Sequence, residues 1–183
     1  GDGVLLGGSA AAVRLRRDIQ EAAQADDPLA ICGPAGSDHE AVARAVHHQS
    51  RRGARAIICI SCLSAGASPD VEGRLRLADG GTLYLEGIQH LPLDAQARLA
   101  ERLRAMDDDR RASLIVRPDV RVIVSTTRDL DEEVVGGRMA PELRRALRRP
   151  SPLARHHARR CKRRDPIPAG VGRSRSRFPC SPR

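Results

Sequence analysis

Residues 29–46 read LAICGPAGSDHEAVARAV: an apolar run reaches a glycine, a short loop follows, and an apolar-periodic helix begins. This is the layout of a phosphate-binding loop with the pattern G-x-x-x-x-G-K-[ST]. Gly33 opens the loop, but Asp38 stands at the second glycine position and His39 at the lysine position. The stretch predicts a strand, a tight loop and a helix, with altered side chains where phosphate would bind.

Further apolar runs and helical patterns extend this unit along the chain. The predicted strands cover residues 28–32, 56–62, 81–87 and 120–127, and each is almost continuously apolar. The predicted helices cover residues 9–24 with Ser9 as cap, 38–49 with Asp38 as N-cap, and 92–106 with Pro92 as first helical residue. Alternating strands and helices predict an α/β fold with a parallel sheet covered on both faces.

The helical patterns also predict which side chains face the core. The first helix has Val13, Arg16/Arg17 and Ile19 on a periodic frame, and the second carries Val42, Ala45 and Val46. The third places Leu93, Ala97, Leu99 and Leu103 inward. The acidic cluster Asp107–Asp109 is interpreted as a surface loop before the fourth strand.

Charge divides the chain into two parts. Residues 1–147 carry 20 basic and 22 acidic side chains, a net charge of −2. Residues 148–183 carry 12 basic side chains against Asp165 alone, a net charge of +11, with many prolines and no apolar period. Such a segment buries too little apolar surface to offset its ordering entropy. We predict a folded domain over residues 4–147 and a disordered Arg/Pro-rich tail over residues 148–183.

Neither the cysteines nor the histidines predict a metal site. Cys59 and Cys62 form a C-x-x-C, but strand residues three apart face opposite sides of a sheet, so we expect buried, inert thiols. His47 and His48 are adjacent on a helix, and His90 precedes Pro92 in a turn, so we expect all three imidazoles to be solvated.

Several segments in order resemble the central AAA+ ATPase domain of bacterial sigma-54-dependent transcription activators. They are LLGGSAAAVRLRRDIQEAA (5–23), GRLRLADGGTLYLEGIQHLPLDAQARLAERLR (73–104), DVRVIVSTTRDL (119–130) and GGRMAPELRRAL (136–147). The resemblance implies a three-layer P-loop NTPase fold of the AAA+ type, a parallel sheet with flanking helices. It also implies ATP and Mg²⁺ as cofactors and other activator subunits as ring partners.

The nucleotide-binding segment departs from the family's pattern. By resemblance, a degenerate Walker A loop covers Gly33, Pro34, Ala35, Gly36, Ser37, Asp38, His39 and Glu40. A carboxylate at this helix N-terminus competes with phosphate for the same backbone N–H groups, and a neutral imidazole is a poor substitute for an ammonium. Asp38 then serves simply as an N-cap, while the two glycines still shape the turn.

The hydrolytic positions are altered as well. By resemblance, the Walker B Asp–Glu pair has become Glu86 and Gly87, so Glu86 could still reach Mg²⁺ weakly while Gly87 cannot activate water. Thr127 replaces the sensor I asparagine. Ala140 and Ala146 occupy positions where arginine fingers are expected, with Arg144 and Arg145 nearby. We therefore expect no catalytic residues and no ATPase activity.

The segment where the family contacts sigma-54 is also short in this chain. Only LSAGASPDVE lies between Cys62 and Gly73, where the family carries a long insertion with its sigma-54 contact loop. Contact with sigma-54 is therefore not expected. Most of the helical lid and a C-terminal helix-turn-helix are also not found after Leu147.

Three interpretations remain open. The chain is a degenerate relative with ATP binding and transcriptional regulation by descent, an interaction module that modulates intact activator rings, or a decayed gene product. The change of composition at residue 148 fits a frameshift in a gene whose product is rich in Arg and poor in Lys. If the tail is functional instead, we expect it to bind nucleic acid non-specifically and in a salt-sensitive way. No apolar run approaches the roughly 18 residues of a membrane span, and no signal peptide is found, so we expect a cytoplasmic protein without a membrane partner.

Overall fold

The computed structural model describes residues 10–63, 70–112 and 118–147. Four strands alternate with helices: β1 (Leu29–Cys32), β2 (Ile57–Ser61), β3 (Thr82–Glu86) and β4 (Arg121–Thr126). The helices are α1 (Ala10–Gln24), α2 (His39–His48), α3 (Val71–Leu77), α4 (Leu93–Arg111), α5 (Leu130–Val135) and α6 (Pro141–Ala146), with a short 3₁₀ helix at Ile88–His90. The predicted Ser9 cap and the tail over residues 148–183 lie outside the described residues.

The strands form one parallel sheet in the order β1-β4-β3-β2. Ile57 pairs with Thr82 and Thr82 with Arg121, so β2, β3 and β4 start at the same level. Leu29 pairs with Ile123, so β1 starts opposite the third residue of β4. Since all strands run the same way, their carboxyl ends meet at one edge, where ligands of open α/β sheets bind. The α/β fold with a parallel sheet is confirmed.

Each face of the sheet has its own apolar core. One cluster joins β3 and β4 to α4 and α6, through residues such as Leu83, Leu99 and Leu143. The other joins α1 and α2 to β1 and includes Tyr84, the only aromatic ring in the described residues apart from histidine. Full burial of one Leu or Ile side chain contributes about 1.5–3 kcal/mol, so aliphatic packing alone suffices to hold the layers.

Helix α4 is longer than predicted and faces the core differently. It continues to Arg111, so Asp107–Asp109 are helical rather than a loop, and Pro92 is the N-cap rather than the first helical residue. Its buried stripe contains Ala95, Gln96, Leu99, Ala100, Leu103 and Met106. Leu93 and Ala97 are exposed because, at about 100° of rotation per residue, both lie just beyond the edge of that stripe, next to Ala100 on the helix surface.

The other helices follow the predicted pattern more closely. Ile19, Val42 and Val46 are buried, as predicted. Val13 shares the periodic frame of Ile19 but is 52% exposed. Helices α3 and α5 were not predicted, since both are short and begin at aspartate caps, Asp70 and Asp129, rather than with a long apolar period. Among the described residues, no helix is long and apolar enough to cross a membrane.

A buried arginine connects the amino ends of the strands. Arg52, which is 8% exposed, forms a two-pronged ion pair with Asp26, at 2.9 and 2.6 Å. Its guanidinium also contacts the Asp119 carboxylate at 2.9 Å and the Asp119 carbonyl at 2.8 Å. The hydrogen bonds from Arg52 lower the pKa of the Asp26 carboxyl. This side chain therefore joins the loops that precede β1, β2 and β4.

His47 is buried, which corrects the expectation of a solvated imidazole. Only 1% of its surface is exposed, because this face of α2 packs against the sheet. Its Nδ1 lies 2.9 Å from the Thr82 hydroxyl and its Nε2 lies 3.1 Å from the Arg55 carbonyl oxygen. Burial lowers its pKa, an effect that nearby positive charges including Arg121 reinforce. His48 and His90 are exposed, as expected.

The depressed pKa of His47 predicts a loss of stability in acid. Below the unfolded pKa of about 6.5, the unfolded chain binds a proton that the native imidazole resists, so the free energy of unfolding falls as pH falls. We expect this fall, measured by urea unfolding at neutral and mildly acidic pH, to be smaller in His47→Gln. His48→Gln, at the exposed neighbour, should behave like the unmodified chain. Equal acid sensitivity in all three proteins would exclude His47 as the cause.

The cysteine expectation holds for Cys62 but is wrong for Cys59. Cys62 is 5% exposed, and burial followed by the charge of Glu86 raises its pKa to about 11. Cys59 is exposed because β2 is the last strand of the sheet and lacks a neighbour on its outer side among the described residues. Within the described ranges, no group of three His, Cys, Asp or Glu side chains could hold a metal ion.

Candidate functional site

The loop after β1 keeps the backbone path of a phosphate-binding turn. Gly33 continues the strand ladder, with its N–H donating to the Thr126 carbonyl at 3.1 Å. Gly36 has φ +86°, a left-handed conformation that glycine adopts without steric cost. Helix α2 then begins directly after Asp38. Strand, loop and helix therefore occur at the positions that the sequence predicts.

Three backbone donors of this loop are already used within the protein. The N–H of Ser37 donates to the Pro34 carbonyl at 3.1 Å, and the N–H of His39 donates to the Ser37 carbonyl at 2.9 Å. The N–H of Ala41 donates to the Asp38 carboxylate at 3.0 Å, which confirms Asp38 as the N-cap. A phosphate-binding loop instead directs such N–H groups at the ligand. Three donors of this loop are therefore spent on turns and a cap.

His39 occupies space next to the first glycine. A Cβ atom placed on Gly33 would lie 2.6 Å from His39 Nε2 and 3.3 Å from Ser37 Oγ. The imidazole therefore folds back over the loop instead of extending as a lysine would toward the phosphates. Gly33 is thus required for close contact with this protein's own side chain.

Glu86 and Gly87 end β3 at the same edge of the sheet. Glu86 is half-buried, and the carbonyl of this residue accepts the N–H of Cys62 at 2.9 Å. Gly87 has φ +69°, and a Cβ there would lie 3.2 Å from Leu63 Cδ2. A glutamate at this position would therefore be strained as well as crowded. The backbone at this position therefore favours glycine over a residue with a side chain.

The electrostatics of this edge are acidic rather than phosphate-attracting. Burial raises the pKa of Tyr84 to about 12, and the charges of Glu86 and Glu40 add to that shift. Arg44 is engaged by Glu40, at 2.7 Å, one turn along α2. Arg44 is therefore neutralised within the protein, while Asp38 adds further negative charge at the helix start.

Thr127 follows β4 and contacts the 3₁₀ helix. Its hydroxyl accepts a hydrogen bond from Gln89 Nε2 at 3.2 Å. Ser125, two residues earlier, accepts one from the Tyr84 hydroxyl at 2.9 Å and one from the Gly87 N–H at 3.3 Å. Sequence reasoning missed Ser125 and Gln89, because polar residues of this kind leave no periodic or motif signal.

Two arginines near the last described helices, Arg138 and Arg144, form ion pairs within the domain. Arg144 forms a two-pronged ion pair with Asp131, both contacts at 2.9 Å, and Arg138 pairs with buried Glu133 at 2.9 Å. Ala140 is 8% exposed, and its N–H donates to Gln96 Oε1 at 2.9 Å. Arg145 is exposed. Position 140 therefore lies in packed structure and presents no charge to a neighbour.

Taken together, these residues converge but do not fit nucleotide and Mg²⁺. Gly33, Gly87 and Thr127 follow three adjacent strands, β1, β3 and β4, at one edge of the sheet. Three N–H groups of the loop are bonded within the protein, histidine stands at the lysine position, and the carboxylates of Asp38 and Glu40 repel phosphate.

Comparison with known proteins identifies relatives for most of the chain. A family model described as the sigma-54 interaction domain matches residues 6–151. The anaerobic nitric oxide reductase transcription regulator NorR of Klebsiella pneumoniae (strain 342) is 34% identical, with 76% of this chain and 31% of that protein covered. NorR of Escherichia coli (strain K12) is 32% identical with the same coverage. The chain thus spans about a third of the length of these curated relatives.

Solved structures agree with the sequence comparison. NtrX from Brucella abortus in complex with ATP superposes with a TM-score of 0.65 at 28% identity, over 78% of this chain and 36% of that one. The P-loop NTPase domain of the sigma-54 transport activator from Escherichia coli gives a TM-score of 0.58 at 24% identity, over 74% of this chain and 90% of that one. At that identity, the second similarity supports the fold alone.

Proposed function

The chain belongs to the sigma-54 interaction domain family, and from that premise we propose that it is a transcription-regulator domain that has lost nucleotide binding and hydrolysis. Its relatives are transcription regulators, and one of its structural neighbours holds ATP. The observation that carries the proposal is the loop between Gly33 and Ala41. There, N–H groups that would face phosphate are bonded to carbonyls and to the Asp38 carboxylate.

Loss of hydrolysis has causes that are independent of binding. Gly87 offers no carboxylate, and its left-handed backbone opposes a return to glutamate. Absence of a positioned base lowers the rate by about 10²–10⁴-fold. A missing arginine finger lowers it by about 10³–10⁵-fold, and Ala140 stands where one is expected. These factors would suppress turnover even if nucleotide entered the site.

The contact with sigma-54 is also affected. Ten residues, 63–72, separate Cys62 from Gly73, which is too short for the family's sigma-54 contact insertion. We therefore propose that this domain does not remodel sigma-54 by itself. Its place in the cytoplasm, where transcription occurs, belongs to the same proposal.

A phosphate-release assay on the full chain with ATP and Mg²⁺ tests the loss of hydrolysis. We expect a rate equal to that of Glu86→Gln, the matched variant that removes the last acidic group of the Walker B position. A reproducible rate above that variant would mean that Glu86 still supports turnover, and the proposal would be abandoned.

A second candidate is an interaction module that enters rings of intact activators. The shared fold supports it, since 78% of this chain superposes on NtrX with a TM-score of 0.65. We expect this chain, added to an intact activator of the family, to lower that activator's ATPase rate as the added amount rises. An unchanged ATPase rate of the activator at a several-fold excess of this chain would argue against the interaction module. Gene decay would then be the remaining interpretation.

A further inference from the structure

Strand β2 is an outer strand of the sheet with an open edge. It pairs with β3 on one side, through Ala56 and Cys62, which exchange hydrogen bonds with Thr82 and Glu86. Because backbone groups alternate along a strand, Ile58 and Ile60 also point to β3. The N–H and C=O groups of Ile57, Cys59 and Ser61 point outward, and no described residue pairs with them.

Nothing within this strand blocks pairing with another strand. Natural edge strands are protected by charged residues, proline or bulges, whereas β2 reads IICIS and contains none of these. Its five residues continue the ladder of β3 without interruption. Its side chains are only partly covered, and Cys59 and Ser61 are exposed. An uncharged β-branched edge of this kind is a template for strand addition.

We propose that the outer edge of β2 pairs antiparallel with β2 of a second copy of this chain, about a two-fold axis through Cys59. The outward groups lie at the first, middle and last residues of the strand, so a two-fold axis at the middle residue matches all of them. Ile57 then faces Ser61 of the second copy, and each facing pair exchanges two hydrogen bonds. Such an interface is isologous and closes after two copies.

Charges next to the edge permit this approach. Arg44 lies beside the strand, with its guanidinium 3.5 Å from Cys59 Sγ, and Glu40 neutralises it at 2.7 Å. Each copy therefore brings a neutral pair to the axis rather than a repelling charge. At the amino end of β2 the next charged residue is Arg55, which the antiparallel arrangement places beside the uncharged end of the other strand.

The mass of the full chain in solution tests this proposal. Under reducing conditions at about 100 μM, where a contact with a micromolar dissociation constant is populated, light scattering should give twice the 19.8 kDa of one chain. Cys59→Pro removes an outward N–H without touching the ladder to β3, so this variant should be monomeric with an unchanged circular dichroism spectrum. Ser61→Pro should do the same and serves as the second variant.

A thiol cross-link tests the register separately. Facing residues of a hydrogen-bonded antiparallel pair have Cα atoms about 5.5 Å apart, within the range of a disulfide. Diamide, which accepts the two thiol hydrogens, should therefore join two chains through Cys59. In a Cys161→Ser/Cys180→Ser background, which removes the two tail thiols, Cys59→Ser should remain dimeric yet resist cross-linking, whereas Cys62→Ser should still cross-link. A monomeric native chain at this concentration, or a Cys59→Pro dimer, would overturn the proposal.

Discussion

The triple variant Asp38→Gly, His39→Lys and Glu40→Thr is expected to bind ATP·Mg²⁺ at least about 100-fold more tightly than the native chain, a difference of about 2.7 kcal/mol. The changes restore the pattern G-x-x-x-x-G-K-[ST] from Gly33 onward. They also free the Ala41 N–H from the Asp38 carboxylate and remove the imidazole that folds over Gly33.

The gain in ATP affinity has two physical causes: a more favourable charge at the start of α2, and additional hydrogen-bond donors for phosphate. A lysine at position 39 adds hydrogen bonds to charged oxygens, each worth about 1.5–3 kcal/mol, and two repelling carboxylates leave the helix start. Loss of the cap is tolerable because glycine at an N-cap position costs only a few tenths of a kcal/mol. The measurement is isothermal titration of native and triple-variant chains under the same conditions.

A matched control separates the loop from simple charge. Asp108→Gly, His48→Lys and Glu21→Thr make the same three replacements at exposed positions away from the loop. This control should not gain affinity, and the triple variant should still lack hydrolysis because Gly87 is unchanged. An equal gain in the control would attribute the effect to net charge instead of the loop.

The second large effect is on stability, at Arg52. Arg52→Met keeps most of the aliphatic stem but removes the guanidinium that contacts Asp26 and Asp119 at the strand starts. Breaking a buried ion pair typically costs about 3–5 kcal/mol. Because the two aspartates are partly exposed, at 29% and 43%, we expect a loss of about 2–3 kcal/mol in the free energy of unfolding.

Urea unfolding followed by circular dichroism measures this loss. The control is Arg76→Met, which removes an exposed pair with Glu72 and should have no measurable effect. If both substitutions changed the midpoint equally, Arg52 would not be the residue that joins the loops before β1, β2 and β4.

The sequence predicts secondary structure well where the conformation of an element depends on residues within that element. All four strands and the start of α2 were predicted to within a residue or two, because continuous apolar runs and an aspartate cap are local signals. The end of α4 was missed, since acidic residues at 107–109 resemble a loop although nothing there breaks a helix.

What the sequence could not show depends on distant residues. His47 is buried by Thr82 and Arg55, and Arg52 meets Asp119 from 67 positions away. The exposure of Cys59 depends on β2 being an outer strand, which is a property of strand order. In the candidate site, the substituted positions were readable from the motif, but the internal use of the Ser37 and His39 N–H groups was not.

Isothermal titration of the full chain with ATP and Mg²⁺ is the most direct test of the central claim. Three N–H groups of the loop are bonded within the protein, and the lysine is absent. We therefore expect no binding heat at nucleotide concentrations up to about 1 mM; a dissociation constant of that size corresponds to a binding free energy of only about −4.1 kcal/mol. A saturable isotherm with a micromolar dissociation constant would contradict the claim and show that the loop still binds phosphate.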